Sequence, residues 1–260
     1  MGYRALDIET VPDYRTSDPP APTWKISGDG GALHAVADRP FPPPHAHKVV
    51  AISWVEMASD DGRYYHADGF YSECDFSEGA EERLLREFSE SQSEKRPTLV
   101  TWNGRCFDLP VLSFRSFALG VPFGWYFFER DIRYRYSESG HCDMMDVLSD
   151  YGASRATKLG DVARLIGLPG KTGPVSGASV EESVALAMNS TPAERVSVEN
   201  DIAHYCLSDS LQTALIFLRH RLHRGMITKK EHNIAVDSFA EMFSDRHGIE
   251  WARLKLKEER

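Results

Sequence analysis

No run of about 18 apolar residues occurs in this 260-residue chain, so nothing in it is expected to span a membrane. An apolar leader is missing too. Met1-Gly2-Tyr3-Arg4 enters a strand-like stretch directly, so no signal peptide is expected and the protein reads as soluble and cytoplasmic. Cysteine is scarce: Cys74, Cys106, Cys142 and Cys206 are scattered without C-x-x-C spacing. That argues against a structural zinc site and, in a reducing compartment, against disulfides, leaving ordinary buried thiols. Positive charge is in deficit. A net charge of −9 is the wrong sign for gripping nucleic acid over a broad surface, because phosphate binding is dominated by Lys and Arg. Net charge is not charge distribution, however. If four carboxylates hold two divalent cations, the local site is roughly neutral, and a modest basic rim, for which Arg130, Arg133, Arg135, Lys158 and Lys171 are candidates, would be enough for a single-stranded end.

What is present suffices for one sizeable core: 42% of the residues are hydrophobic, which suits one domain with embellishments. The chain is organised around Ala5-Leu6-Asp7-Ile8-Glu9-Thr10, where β-prone residues surround two carboxylates one residue apart. Strand side chains alternate between faces, so Asp7 and Glu9 point one way and Leu6 and Ile8 the other. Two acids side by side on a buried strand repel each other and lose hydration, so such a pair is kept mainly where cations neutralise it.

Residues 14 to 47, rich in Pro and Gly, read as a long loop or lid. Its histidines, His34, His45 and His47, could ligate a metal, although loop histidines usually do not. Lys48 to Val55 and Arg63 to Phe70 form a hairpin around Asp60-Asp61-Gly62, beside the Asp7 strand. A helix follows from Ser77 to Phe88, then a short buried strand from Thr98 to Trp102, a turn at Asn103-Gly104, and a helix from about Phe107 that closes at Gly120. Asp108 sits where that strand hands over to its helix, a common place for ligand sites in α/β sheets. Between Gly120 and Gly140 the chain mixes aromatics with Arg130, Arg133 and Arg135; these can stack bases and hold phosphates, or can be a strand packed on the core. His141 to Leu148 leads into a helix, for which Asp143 makes an N-cap. Lys158 to Leu165 and Ser179 to Met188 are helical. Pro192 suits the first turn of a helix, and the next helix, Val196 through about Leu222, contains Tyr205 and Asp209. A charged amphipathic helix begins at Thr228, and Arg246 to Arg260 reads as a solvated end.

Asp7, Glu9, Asp108 and Asp209 stand apart by position, and Tyr205 lies four residues before Asp209, on the same helix face. Two-metal hydrolysis of a phosphodiester needs this inventory: oxygen ligands for hard cations about 3.5–4 Å apart, and a phenol or imidazole to position water.

The motifs are specific in combination. Leu6-Asp7-Ile8-Glu9-Thr10, Trp102-Asn103-Gly104-Arg105-Cys106-Phe107-Asp108-Leu109-Pro110 and Tyr205-Cys206-Leu207-Ser208-Asp209 resemble, in order and spacing, the three motifs of the DEDD superfamily of 3′-5′ exonucleases. The chain looks most like the stand-alone predicted exonucleases related to the proofreading domain of B-family DNA polymerases. His141-x-Asp143-x-x-Asp146, Lys158-Leu159-Gly160-Asp161 and Leu168-Pro169-Gly170-Lys171 share that look. The resemblance implies an α/β ribonuclease H-like fold, a mixed sheet flanked by helices. An exonuclease domain would occupy residues 1–225, with the insertion at 14–47, followed by a C-terminal helical extension over 226–260. It further implies that Asp7, Glu9, Asp108 and Asp209 bind two divalent ions, Mg²⁺ or Mn²⁺, that Tyr205 orients the attacking water, and that Thr10 and Asn103 line the terminal nucleotide. His204, five residues before Asp209, also satisfies the pattern of the histidine branch and is the alternative to Tyr205. Asp143 and Asp146 are expected to be structural. The implied substrate is a 3′ end of single-stranded DNA or RNA, with DNA favoured and nucleoside 5′-monophosphates released. The alternatives are a binding module that keeps the fold without the chemistry, or a nuclease for dinucleotides and other short fragments. Nothing in the chain resembles a polymerase palm or fingers, so a free-standing domain, or one that works on a partner, is expected.

Overall fold

The computed structural model describes residues 1–13, 15, 23–29, 32–38, 41–170, 179–244 and 247–257; for 23–29, 32–38 and Arg130 it describes the backbone alone. The chain runs β1 (Gly2–Pro12), β2 (Thr23–Asp29), β3 (Ala32–Asp38), β4 (His47–Asp60), β5 (Tyr64–Cys74), α1 (Ala80–Lys95), β6 (Thr98–Thr101), α2 (Asp108–Leu119), α3 (Gly124–Phe128), α4 (Arg130–Arg133), β7 (His141–Asp143), α5 (Met144–Leu148), α6 (Leu159–Leu165), α7 (Val180–Ala187), α8 (Pro192–His223), α9 (Lys229–Phe243) and α10 (Trp251–Leu254). The main sheet has the order β5-β4-β1-β6-β7. β5, β4 and β1 pair antiparallel, and β1, β6 and β7 pair parallel. This mixed sheet between helical layers is the ribonuclease H-like, α/β arrangement that the motifs imply.

β1 is the central strand, and its alternation sorts the two layers. Leu6 and Ile8 pack with Leu84, Phe88 and Leu112 from α1 and α2. Tyr3 and Ala5 face the other way, in the core built by Leu211 and Phe217 of α8 and Phe239 of α9. The parity carries Asp7 and Glu9 toward α8, as expected of a period-two strand. Arg4 lies on the α1 side, fully buried; its guanidinium donates to Glu56, Ser91 and Gln92 and lies over the Trp54 ring, so the buried charge is both paired and hydrogen-bonded. Between Glu9 and Thr10 the register with β4 slips by one residue, a bulge at the end of the acid-bearing stretch.

α8 runs through 32 residues, about 48 Å at 1.5 Å per residue. Its start is fixed by a capping box, in which Thr191 accepts from the Glu194 N–H and Glu194 accepts from the Thr191 N–H, with Pro192 in the first turn. Small residues let it approach the sheet closely: Ser210 Oγ lies 2.7 Å from Ser53 Oγ, and Ser53 donates to Cys206 at 3.2 Å.

Four expectations need correction. Residues 14–47 are not all loop, because β2 and β3 pair antiparallel from Thr23↔Asp38 to Asp29↔Ala32. The overlooked signal is a pair of short β-prone runs, Trp24 to Ser27 and Leu33 to Val36, hidden among glycines and prolines. The stretch from Gly124 to Arg133 is two short helices, not a strand; helical turns bury Trp125 and Ile132 while leaving Phe127 and Phe128 exposed. The C-terminal end is not merely solvated, since Ile249 and Leu254 are buried in the same core as Phe239 and Phe243. Cys106 is exposed, unlike the other three cysteines.

Candidate active site

β1 delivers Asp7 and Glu9, and α8 delivers Asp209; one carboxylate oxygen from each lies within 4.8 Å of the others. Glu9 and Asp209 are buried and Asp7 is half-buried. Burial, followed by the charges of Asp209, Glu9 and Asp108, pushes the Asp7 carboxyl well above the usual carboxylate range. Asp108, the first residue of α2, stands beside this trio rather than within it. It is buried, and burial first, with Asp143 and Asp209 adding repulsion, pushes its carboxyl up to about 7, although it accepts the Ile8 N–H. Four mutually repelling acids are therefore gathered where β1, α2 and α8 meet.

The turn that presents Asp108 depends on backbone geometry. Asn103 adopts φ 66°, a left-handed conformation that asparagine tolerates better than most residues. At Gly104, a Cβ would stand 2.5 Å from both Cβ and Oγ1 of Thr101, so no larger residue fits. Asp143 holds the turn by accepting the N–H groups of Asn103 and Arg105, each at 2.9 Å, while capping α5 through the N–H groups of Met145 and Asp146. Asp146 receives both arms of Arg135 at 3.0 and 2.7 Å. Both acids are placed structurally, as their sequence context suggested.

An open cleft of about 440 Å³ lies over the acids, lined by Asp7, Asp209, Trp102, Asn103, Thr157 and Lys158 among others. Asn103, expected at the terminal nucleotide, thus stands at the cleft wall. Thr10 is not among the lining residues; its hydroxyl is 2.8 Å from Nδ1 of His47, whose Nε2 is 3.0 Å from the carbonyl oxygen of Pro42. Tyr205 is buried, one turn before Asp209 on unbroken helix. His204 is exposed on that helix, and its ring stacks on His247 at 4.4 Å. Of the basic groups expected at the rim, Lys158 lines the cleft. Arg135 is committed to Asp146, and Arg133 lies over Phe127. Lys171 and the side chains of Arg130 and His34 lie outside the described residues.

Sequence reasoning passed over Cys206. Its thiol donates to the Asp7 carbonyl at 3.4 Å and to Asp7 Oδ2 at 3.5 Å. Its place one residue after Tyr205 and three before Asp209, on the face turned to the sheet, was the available signal.

These features meet in one class of protein, a nuclease-type carboxylate site on a ribonuclease H-like sheet. Residues 39–255 match the family model described as predicted 3′-5′ exonucleases related to the exonuclease domain of PolB, and the chain belongs to that family. The match begins after Asp7 and Glu9, so those two acids rest on the geometry of β1. The family B DNA polymerase of the hyperthermophilic archaeon Pyrobaculum calidifontis is similar in structure, with a TM-score of 0.50 and 19% sequence identity. The similarity covers 100% of this chain and 31% of the polymerase, a likeness of fold. No functionally curated protein matches the chain.

Proposed function

We propose that the protein is a metal-dependent 3′-5′ exonuclease that hydrolyses the last phosphodiester of single-stranded nucleic acid, DNA in preference to RNA, and releases nucleoside 5′-monophosphates. The observation that carries this reading is the meeting of Asp7, Glu9 and Asp209 within 4.8 Å, beside Asp108 and under an open cleft. The donors are all carboxylate oxygens, which suit hard divalent cations. The raised Asp7 and Asp108 carboxyls fit the same group, because cations would remove the repulsion that now favours their protonated forms. Asp7, Glu9, Asp108 and Asp209 would hold two such ions, Mg²⁺ or Mn²⁺. When bound, the ions supply Lewis acidity and charge neutralisation for phosphodiester hydrolysis.

The remaining roles fall to the chain itself. Tyr205 orients the attacking water through its hydroxyl, from one turn before Asp209. Asn103 contacts the terminal nucleotide, and Lys158 offers positive charge to a substrate phosphate at the cleft wall. Thr10 steadies the end of β1 through His47. The test is incubation of 3′- and 5′-labelled single-stranded DNA and RNA with Mg²⁺ or Mn²⁺, products being resolved by length. Stepwise shortening from the 3′ end, abolished by EDTA, is expected; turnover that persists in EDTA would sink the reading.

A further inference from the structure

The solvent side of α2 and α3 is aromatic and carries no free charge. Between Leu109 and Phe128 the only charged residue is Arg115, in a chain of which 27% is charged. Arg115 is itself buried, its guanidinium held by Glu81 at 2.6 Å and Asp13 at 3.0 Å. Phe114 and Phe127 are half exposed, and Phe117 and Phe128 are each 89% exposed. Scattered exposed apolar residues need no explanation, but Phe114, Phe117 and Phe127 line one groove of about 460 Å³. Phe128 stands beside that groove against Gly124, where a Cβ would come within 3.2 Å of its ring. The groove is anchored in the core beneath it: Phe123, which also lines it, and Trp125 are buried with ring centroids 4.5 Å apart, and Trp125 donates to Ser89.

We infer that this face joins two copies of the chain in a two-fold dimer, with Phe117 and Phe128 of each copy seated in the groove of the other. The inference is independent of the exonuclease reading. An isologous contact uses one patch on both copies, so the patch must present projecting and receiving parts together. Here the two most exposed phenylalanines project and the groove beside them receives. The area is of the right order: at about 200 Å² per aromatic side chain, the four rings expose roughly 550 Å². Ala118 and Pro122, also exposed, extend this surface toward the roughly 800 Å² per partner of a stable interface. Charge selects the same occupant. Two copies of a chain of net charge −9 repel, so they can meet closely only where carboxylates are absent, and the groove lining holds none. Glu90 and Glu94 belong to a separate groove across Val121. A basic protein would find no carboxylate in the aromatic groove to pair with, and a nucleic acid would find no cation.

Sedimentation velocity of the full chain, without nucleic acid, tests this. The wild-type mass should double as concentration rises through the micromolar range, the weak end for interfaces of this size. Added NaCl should shift the equilibrium toward the dimer, because screening removes repulsion between two acidic copies and leaves an apolar contact in place. Phe117→Glu and Phe128→Glu start from exposed positions, so both should fold, with wild-type circular dichroism and melting, and both should stay monomeric over the same concentrations. Leu186→Glu, at an exposed leucine of α7 outside the face, should dimerise as the wild type does. A wild type that remains monomeric throughout would overturn the inference. So would a dimer that persists in both phenylalanine variants, one that dissociates as NaCl is added, or a mass that grows past two copies.

Discussion

The Cys206 thiol donates to both the carbonyl and the carboxylate of Asp7, at 3.4 and 3.5 Å, and receives the hydroxyl of Ser53, the cross-strand neighbour of Asp7 in β4. This contact pins α8 to the sheet one helical turn before Asp209, and so sets the spacing between the two acids. Cys206→Ser keeps a small donor and should retain activity within a few-fold. Cys206→Leu inserts volume between helix and sheet, which should cost about 1–3 kcal/mol and lower nuclease activity at least ~10-fold. Urea denaturation and rates on a labelled oligonucleotide check both; a fully active Cys206→Leu would show that the contact does not set the site.

Neutralising one acid should stabilise the metal-free protein while removing function. Asp209→Asn takes away the largest charge acting against Asp7, so stability in EDTA should rise by about 1 kcal/mol. Activity should fall at least ~100-fold, as expected when one member of a group acting as a unit is lost. The wild type should also gain more stability from added Mg²⁺ than the variant, because ligand binding to the folded state stabilises by mass action. A variant less stable than wild type in EDTA would mean that hydrogen bonds at Asp209 outweigh its repulsions.

Tyr205 and His204 can be separated by substitution. α8 is continuous from Pro192, which places Tyr205 with Asp209 about 40° apart around the axis and His204 about 140° from Asp209. Tyr205→Phe is expected to reduce the rate partially and His204→Ala only slightly. Rates measured across pH decide it: an inactive His204→Ala beside a silent Tyr205→Phe would transfer the water-positioning role to the histidine.

Gly104→Ala is predicted to destabilise the protein by about 1–3 kcal/mol, since the new methyl would overlap Thr101 at 2.5 Å and force the β6–α2 turn to move. Because Asp108 begins α2, activity should fall further than stability alone explains. Activity of the folded fraction, assayed well below its melting temperature, measures this second effect.

Acid sensitivity should arise in part at His141. Burial, then the charge of Arg105, lowers its imidazole from 6.5 to about 3, and its Nε2 lies 2.7 Å from Thr101 Oγ1. The unfolded chain thus takes up this proton before the folded one. Stability is complete above about pH 6.5 and is lost as pH falls from 6.5 toward 3. In EDTA, His141→Gln should show a shallower loss across this window than wild type, read from urea midpoints at successive pH values. Parallel curves would place the acid sensitivity elsewhere.

The sequence by itself determined the parity of β1, the turn before Asp108 and the helical phase of Tyr205 and Asp209, because each follows from a local period or backbone preference. A strand repeats every two residues and a helix every 3.6, so relative directions within one element are legible without a fold. Residues 39–255 place the chain in its family, while the first motif was already visible as two acids one residue apart. Only the tertiary structure decided that Asp7, Glu9 and Asp209 meet within 4.8 Å while Asp108 stands alongside. The same holds for Thr10, which turns to His47 rather than to the cleft, and for Arg135, which is committed to Asp146. It also decided that Cys206 bridges α8 to β1 across 199 residues of chain. Distances of that kind depend on how closely a helix settles on a sheet, which is set by the combined volumes of side chains far apart in sequence, among them Ser53, Cys206 and Ser210.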